Sequence, residues 1–145
     1  MTSSCASRRN RPDRLFCYGT LCLPAIMRSV SGCLPPASAA TLPGYARYCL
    51  SGCDYPAIAP LPAAQVTGVL YHGLGRAQWA RLDHYEGHEY QRRRVRVELD
   101  TGQRLWAWTY VLRPRFYHRR ARQGWSLAQF RREKLYLYLA NRHYP

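Results

Sequence analysis

At 145 residues, 47% of them hydrophobic, the chain has the material for one domain burying roughly two-thirds of its unfolded-chain surface, and is too short for two ordinary ones. A net charge of +14 often marks a nucleic-acid binder, but the charge is scattered over residues 8–14, 92–96, 113–122 and 131–132. All the basic residues except Lys134 are arginine, a bias that a GC-rich genome also produces, so the expectation is a generic basic surface and not a nucleic-acid partner.

Residues 1–13 read as a disordered basic tail and residues 14–145 as a single domain. No apolar run follows the charges of the tail, so no secretory signal is expected. The longest weakly charged stretch, Tyr48 to Gly75, is too rich in Pro and Gly to cross a membrane. The expected compartment is the cytoplasm, with its six cysteines reduced.

Leu15 to Tyr18 predicts a short buried strand stopped by Gly19, followed by a short helix with Pro24 in its first turn and Gly32 at its end. Residues 33–65 read as a long irregular middle, with a strand possible at Tyr45 to Leu50. Val66 to Tyr71 is a strand, and Arg76 to Tyr85 a helix carrying Trp79 and Leu82 on one face and closed by Gly87. Val95, Val97 and Leu99 alternate with Arg94, Arg96 and Glu98, the pattern of a half-buried strand. Asp100 to Gln103 is a hairpin loop, and Leu105 to Leu112 returns as an apolar strand, buried on both faces or central in a barrel. A final helix starts at Ser126, with Gln129 completing a capping box. Strands without a regular βαβ alternation make this an α+β fold.

Two segments can carry chemistry. Phe16 to Leu21 ends a strand in Gly-Thr, and the backbone N–H groups there either hold an anion or belong to an ordinary strand-to-helix turn. In Leu82 to Tyr90, Glu86 lies four residues after Leu82 on one helix face. If Leu82 points to the core, Glu86 is carried inward, and burial makes it a base suited to neutral pH. The alternative is a solvated helix end. Cys49 and Cys53 suggest zinc, but no second close Cys or His pair accompanies them, so buried reduced thiols are the better reading. No cysteine has an activating neighbour in sequence, and His84 and His88 decorate the helix end.

Taken together, Tyr18-Gly19-Thr20-Leu21 and the Leu82-Asp83, Glu86-Gly87, Tyr90 and Arg92 pattern resemble the γ-glutamylcyclotransferase-like superfamily, in particular its γ-glutamylamine cyclotransferase and plant avirulence-induced branch. Leu42-Pro43-Gly44-Tyr45, Tyr55-Pro56-Ala57-Ile58, Gly68-Val69-Leu70-Tyr71 and Trp108-Thr109-Tyr110-Val111 extend the resemblance from Leu15 to Leu112. It implies a small mixed β-barrel flanked by helices. It implies an enzyme that cyclises the γ-glutamyl group of a small-molecule γ-glutamyl amine or peptide into 5-oxoproline and releases an amine. Glu86 would be the catalytic acid/base, and Tyr18, Gly19, Thr20, Leu21, Tyr55, Pro56, Tyr90 and Tyr110 would bind substrate. No metal or cofactor is implied, and Asp83 and Glu89 read as structural or surface residues. The alternatives are a non-catalytic binding module that uses the same pocket or its basic surface, and related amide chemistry in the same barrel. The sequence carries no signal for oligomeric state or for the leaving amine.

Overall fold

A computed structural model describes residues 13–121 and 124–142. Residues 1–12 of the expected tail lie outside the described residues. Asp13 is buried, and its carbonyl accepts from the Leu74 N–H at 3.1 Å.

The elements are β1 (Leu15–Cys17), a 3-10 turn (Thr20–Cys22), α1 (Pro24–Ser31), β2 (Ala37–Cys49), β3 (Pro56–Tyr71), α2 (Arg76–Glu86), β4 (Tyr90–Leu99), β5 (Arg104–Leu112), a second 3-10 turn (Pro114–Arg119), α3 (Leu127–Glu133) and α4 (Leu135–Arg142). The strands close a barrel in the order β1-β3-β2-β4-β5, so the fold is the expected mixed barrel with helices around it. β1 makes the closure: it runs antiparallel to β3, with Phe16 opposite Leu70, and parallel to β5 at Leu15 and Trp108. The β4–β5 hairpin pairs Tyr90 with Leu112 through to Glu98 with Arg104.

Alternation along the strands sorts the apolar residues into two layers. Phe16, Leu70, Val97 and Ala107 fill the barrel interior. Leu15, Cys17, Tyr71, Tyr90 and Leu112 face outward and are covered by Ile26 and Met27 of α1 and Leu82 of α2. β1 is therefore buried on both faces, which is why it reads as an apolar run. Burying Leu82 completely is worth about 1.5–3 kcal/mol and fixes the rotation of α2. Arg81 of α2 also donates to the Ser31 carbonyl at 3.0 Å, tying α2 to the end of α1.

The structure corrects the expected irregular middle. β2 and β3 form one long antiparallel pair from Ala37–Tyr71 to Cys49–Pro56, interrupted where Leu61 to Ala64 bulge opposite Gly44. Pro43, Pro56 and Pro60 sit within these strands, and their lack of N–H is tolerated beside a bulge and at a strand end. Long-range pairing overrides the weak β propensity of Ala and Pro. The expected terminal helix is two helices broken at Lys134. Its Ser126 cap is present, accepting from the Gln129 N–H at 3.1 Å. Cys33 departs from the expected reduced state: it is disulfide-bonded, in the partly exposed segment after α1, while Cys17, Cys22, Cys49 and Cys53 are free. Among the described residues, no helix is long and apolar enough to cross a membrane.

The closure sets a steric limit on β3. A Cβ at Gly68 would stand 2.1 Å from the Cys17 carbonyl oxygen and 2.9 Å from Phe16 Cζ. Gly68→Ala is expected to destabilise the protein by about 1–3 kcal/mol, the cost of overpacking. A fall in the urea midpoint at an unchanged m value checks this; an unmoved midpoint refutes the packing.

Candidate active site

Where β1 leaves the barrel, the chain turns at Gly19 into the 3-10 turn. The hydrogen bonds of that turn start with the N–H of Cys22, donating to Gly19, and the N–H of Leu23, donating to Thr20. The N–H groups of Gly19, Thr20 and Leu21 precede those donors, as at any helix start. Arg47 donates to the Tyr18 carbonyl at 2.5 Å and so polarises the peptide unit that carries the Gly19 N–H. Only glycine fits at position 19, because a Cβ there would meet Pro56 Cγ at 2.8 Å and Cδ at 2.9 Å.

Glu86 is the last residue of α2. With Leu82 wholly buried, the same face carries Glu86 inward. Gly87 then takes φ 79°, a region open to glycine, and turns the chain out of the helix towards β4. The residue as a whole is half-buried, and its carboxyl lies deep enough that its charge is felt by Cys17, Tyr18, Tyr85, Tyr90 and Tyr110. Burial, and secondarily the charge of Asp83, push its pKa up from the usual carboxylate range to about 8.

These pieces meet in a cavity of about 110 Å³ at the junction of barrel interior and helix layer. Every residue expected from the sequence lines it: Glu86; Tyr18, Gly19, Thr20 and Leu21 from the end of β1 and its turn; Tyr55 and Pro56 at the start of β3; Tyr90 from β4; and Tyr110 from β5. Tyr85 and Tyr138 line it as well and escaped sequence reasoning. Tyr85 adjoins Glu86, a signal that could have found it. Tyr138 arrives from α4, where nothing in the spacing singles it out.

The tyrosine hydroxyls bind the walls together. Tyr18 donates to the Tyr110 carbonyl at 2.7 Å and Tyr90 to the Pro56 carbonyl at 2.8 Å. Tyr71 donates to the Leu21 carbonyl at 2.7 Å, which holds the turn from behind. Thr20 and Tyr85 share a hydrogen bond of 3.0 Å, and Tyr85 in turn contacts the Tyr138 hydroxyl. Tyr110 donates to Asp83 Oδ1 at 2.6 Å. Burial, first of all, pushes the pKa values of Tyr18, Tyr90 and Tyr110 well up, so these rings stay neutral.

Burial also pushes the Cys17 thiol well up, and the Cys22 thiol to about 11, so neither supplies a thiolate near neutral pH. His84 and His88 are exposed and do not line the cavity. Glu89 pairs with Arg119, away from the cavity. Among the described residues, no three His, Cys, Asp or Glu side chains are grouped to hold a metal ion.

A family model described as "Gamma-glutamyl cyclotransferase, AIG2-like" matches residues 15–132. AIG2-like protein D of Arabidopsis thaliana is 33% identical over 99 residues, which cover 67% of this chain and 65% of that relative, just under two thirds of its length. A solution structure of an Arabidopsis thaliana protein superimposes with a TM-score of 0.69 at 27% identity, covering 97% of this chain and 83% of its own. A structure named gamma-glutamyl cyclotransferase shares the fold at a TM-score of 0.59 and 18% identity, covering 69% of this chain and 66% of its own. With the family model spanning most of the chain, from β1 into α3, this protein belongs to the gamma-glutamyl cyclotransferase, AIG2-like family.

Proposed function

We propose that the protein converts the γ-glutamyl group of a small amine or peptide conjugate into 5-oxoproline and releases the amine, with Glu86 as the acid/base. The observation that carries this reading is the position of Glu86: it is the one carboxyl among the described residues lining a small cavity, and Gly19, Thr20 and Leu21 of the turn line the same cavity.

A γ-glutamyl head carries an α-ammonium, an α-carboxylate and a side-chain amide carbonyl. The N–H groups of Gly19 to Leu21 suit the carboxylate or the oxyanion, and Glu86 suits the ammonium. An α-ammonium has a pKa of about 8, and Glu86 is raised to about 8. Proton transfer between them is then close to balanced. The freed amine attacks its own γ-glutamyl carbonyl carbon, and the new C–N bond closes a five-membered lactam. Glu86 passes this proton to the departing nitrogen, the original C–N bond breaks and the carboxylate is regenerated; the new lactam nitrogen gives up its second proton to the released amine, which leaves as an ammonium. No other reactant enters. Holding the chain folded back on itself supplies an advantage equivalent to about 7–11 kcal/mol.

Purified protein incubated with a panel of γ-glutamyl amines and peptides is expected to yield 5-oxoproline by mass spectrometry. Glu86→Gln, which keeps shape and removes the titrating group, is expected to lower turnover by about 10²–10⁴-fold; a variant retaining most of its activity refutes the assignment. The value of kcat/KM for the wild type is expected to fall on the acid side of about pH 8, where Glu86 holds its proton.

The same group links stability to pH. A carboxyl whose folded-state pKa is raised stabilises the fold below its unfolded pKa, and that contribution is lost as pH rises through the folded value. The relevant window runs from the ordinary glutamate value of 4.5 to about 8. Across it, the stability carried by this one carboxyl changes by about 1.4 kcal/mol for every pH unit. Chemical denaturation of wild type and Glu86→Gln over the same range is expected to show the wild type losing stability relative to the variant as pH rises. A constant difference between them would remove the case for a buried carboxyl.

A further inference from the structure

We propose that Asp83 is a positioning residue for Glu86: clamped between Tyr110 and Arg92, it fixes a negative charge one helical turn before that carboxyl and so sets the electrostatics of the site. The inference rests on the reading of Glu86 as the acid/base of the site, and assigns a role to a residue that the sequence marks only as structural or surface.

Asp83 and Glu86 stand at i and i+3 on α2, which places them as neighbours on the helix surface. Asp83 Oδ1 accepts from Tyr110 Oη at 2.6 Å, and Oδ2 lies 3.6 Å from Arg92 Nη2. Tyr110 lines the cavity and Arg92 does not, so Asp83 bridges the cavity wall to a cation outside it. Arg92 is itself held: its guanidinium sits 4.6 Å from the Trp79 ring centre and 5.3 Å from that of Trp108. Arg92 and Tyr110 are direct cross-strand partners on β4 and β5, so one register of the hairpin presents both grips on Asp83.

The surroundings of Glu86 leave Asp83 as the charge that acts on it. From β1 and its turn come Cys17 and Tyr18; from β4 and β5 come Tyr90 and Tyr110. Tyr55, Tyr85 and Tyr138 complete the titratable lining, and all of these groups are neutral at the working pH of the site. Arg47 is engaged with the Tyr18 carbonyl behind the turn. After burial, the charge of Asp83 is the cause that raises Glu86. Arg92 limits this effect by partly neutralising Asp83.

The two partners should therefore act on Glu86 with opposite signs, which loosened packing could not imitate. The chain has four glutamates, so glutamate labelled with ¹³C at the side-chain carboxyl gives four resonances to follow with pH, and the one missing in Glu86→Gln is Glu86. Asp83→Asn is expected to lower the Glu86 midpoint by about half a pH unit to one pH unit, given Asp83's partial exposure. Arg92→Gln is expected to raise it. Tyr110→Phe, which frees Asp83 to turn to solvent, is expected to lower it by less than Asp83→Asn, and this variant carries the test if Asp83→Asn does not fold. The acid limb of kcat/KM should move in parallel. An unmoved midpoint in Asp83→Asn, or midpoints that fall in both Asp83→Asn and Arg92→Gln, would overturn the proposal. Because the titration needs no turnover, absence of 5-oxoproline production would sink the cyclotransferase reading while leaving this result intact.

Discussion

The Glu86 carboxyl stands where the barrel interior meets the helix layer, with tyrosine rings in place of most of its water. Putting an ionisable group there costs free energy, and the cost appears as its raised pKa. The rest of the architecture enforces that position. Leu82, one turn earlier, is completely buried against the outer face of the barrel, and α2 cannot rotate Glu86 outward without exposing it. Gly87 ends the helix at once, so no further turn carries the chain past the cavity. Stability is given up locally at Glu86 and recovered along the Leu82 face.

The tyrosines keep this arrangement rigid. A buried hydroxyl without a partner would be destabilising, yet Tyr18, Tyr71 and Tyr90 each donate to a main-chain carbonyl of a different element. Each bond is worth only about 0.5–1.5 kcal/mol net. Their greater effect is geometric: they lock β1 to β5, β3 to the turn, and β4 to the start of β3. The cavity is shaped by main chain fixed through side chains, so the turn and Glu86 line it from separate, rigid elements.

Much of this was legible in the sequence, and the gaps have physical causes. β1, α1, α2 and the β4–β5 hairpin follow from local signals: an apolar run, Pro24 and Gly32 as helix bounds, valines alternating with arginines, and a turn containing Gly102. The β2–β3 pair was missed because Ala, Ser and Pro give no periodic signal and the bulge at Leu61 to Ala64 breaks the register. Those strands exist because they pair with each other over a long span. At the site, the carboxyl and the turn could be read from Leu82, Glu86 and Gly19. Tyr138 could not, because it reaches the cavity only through the packing of α4, with its ring 5.4 Å from that of Phe130.

The many arginines bear on the site by staying out of it. Arg92 is stacked between Trp79 and Trp108, while Arg96, directly opposite Trp106 on the hairpin, and Arg94, two residues earlier on β4, lie 5.2 and 4.9 Å from its ring. Arg120 rests on Tyr48 and Tyr117. Aromatic faces hold these cations on the outer surface, each contact contributing about 0.5–1 kcal/mol where exposed. Among the described residues, no arginine lines the cavity. A guanidinium beside Glu86 would pull its pKa down and leave a weak base already neutralised by an ion pair. The chain thus carries a strongly positive surface around a pocket whose only carboxyl among the described residues is Glu86.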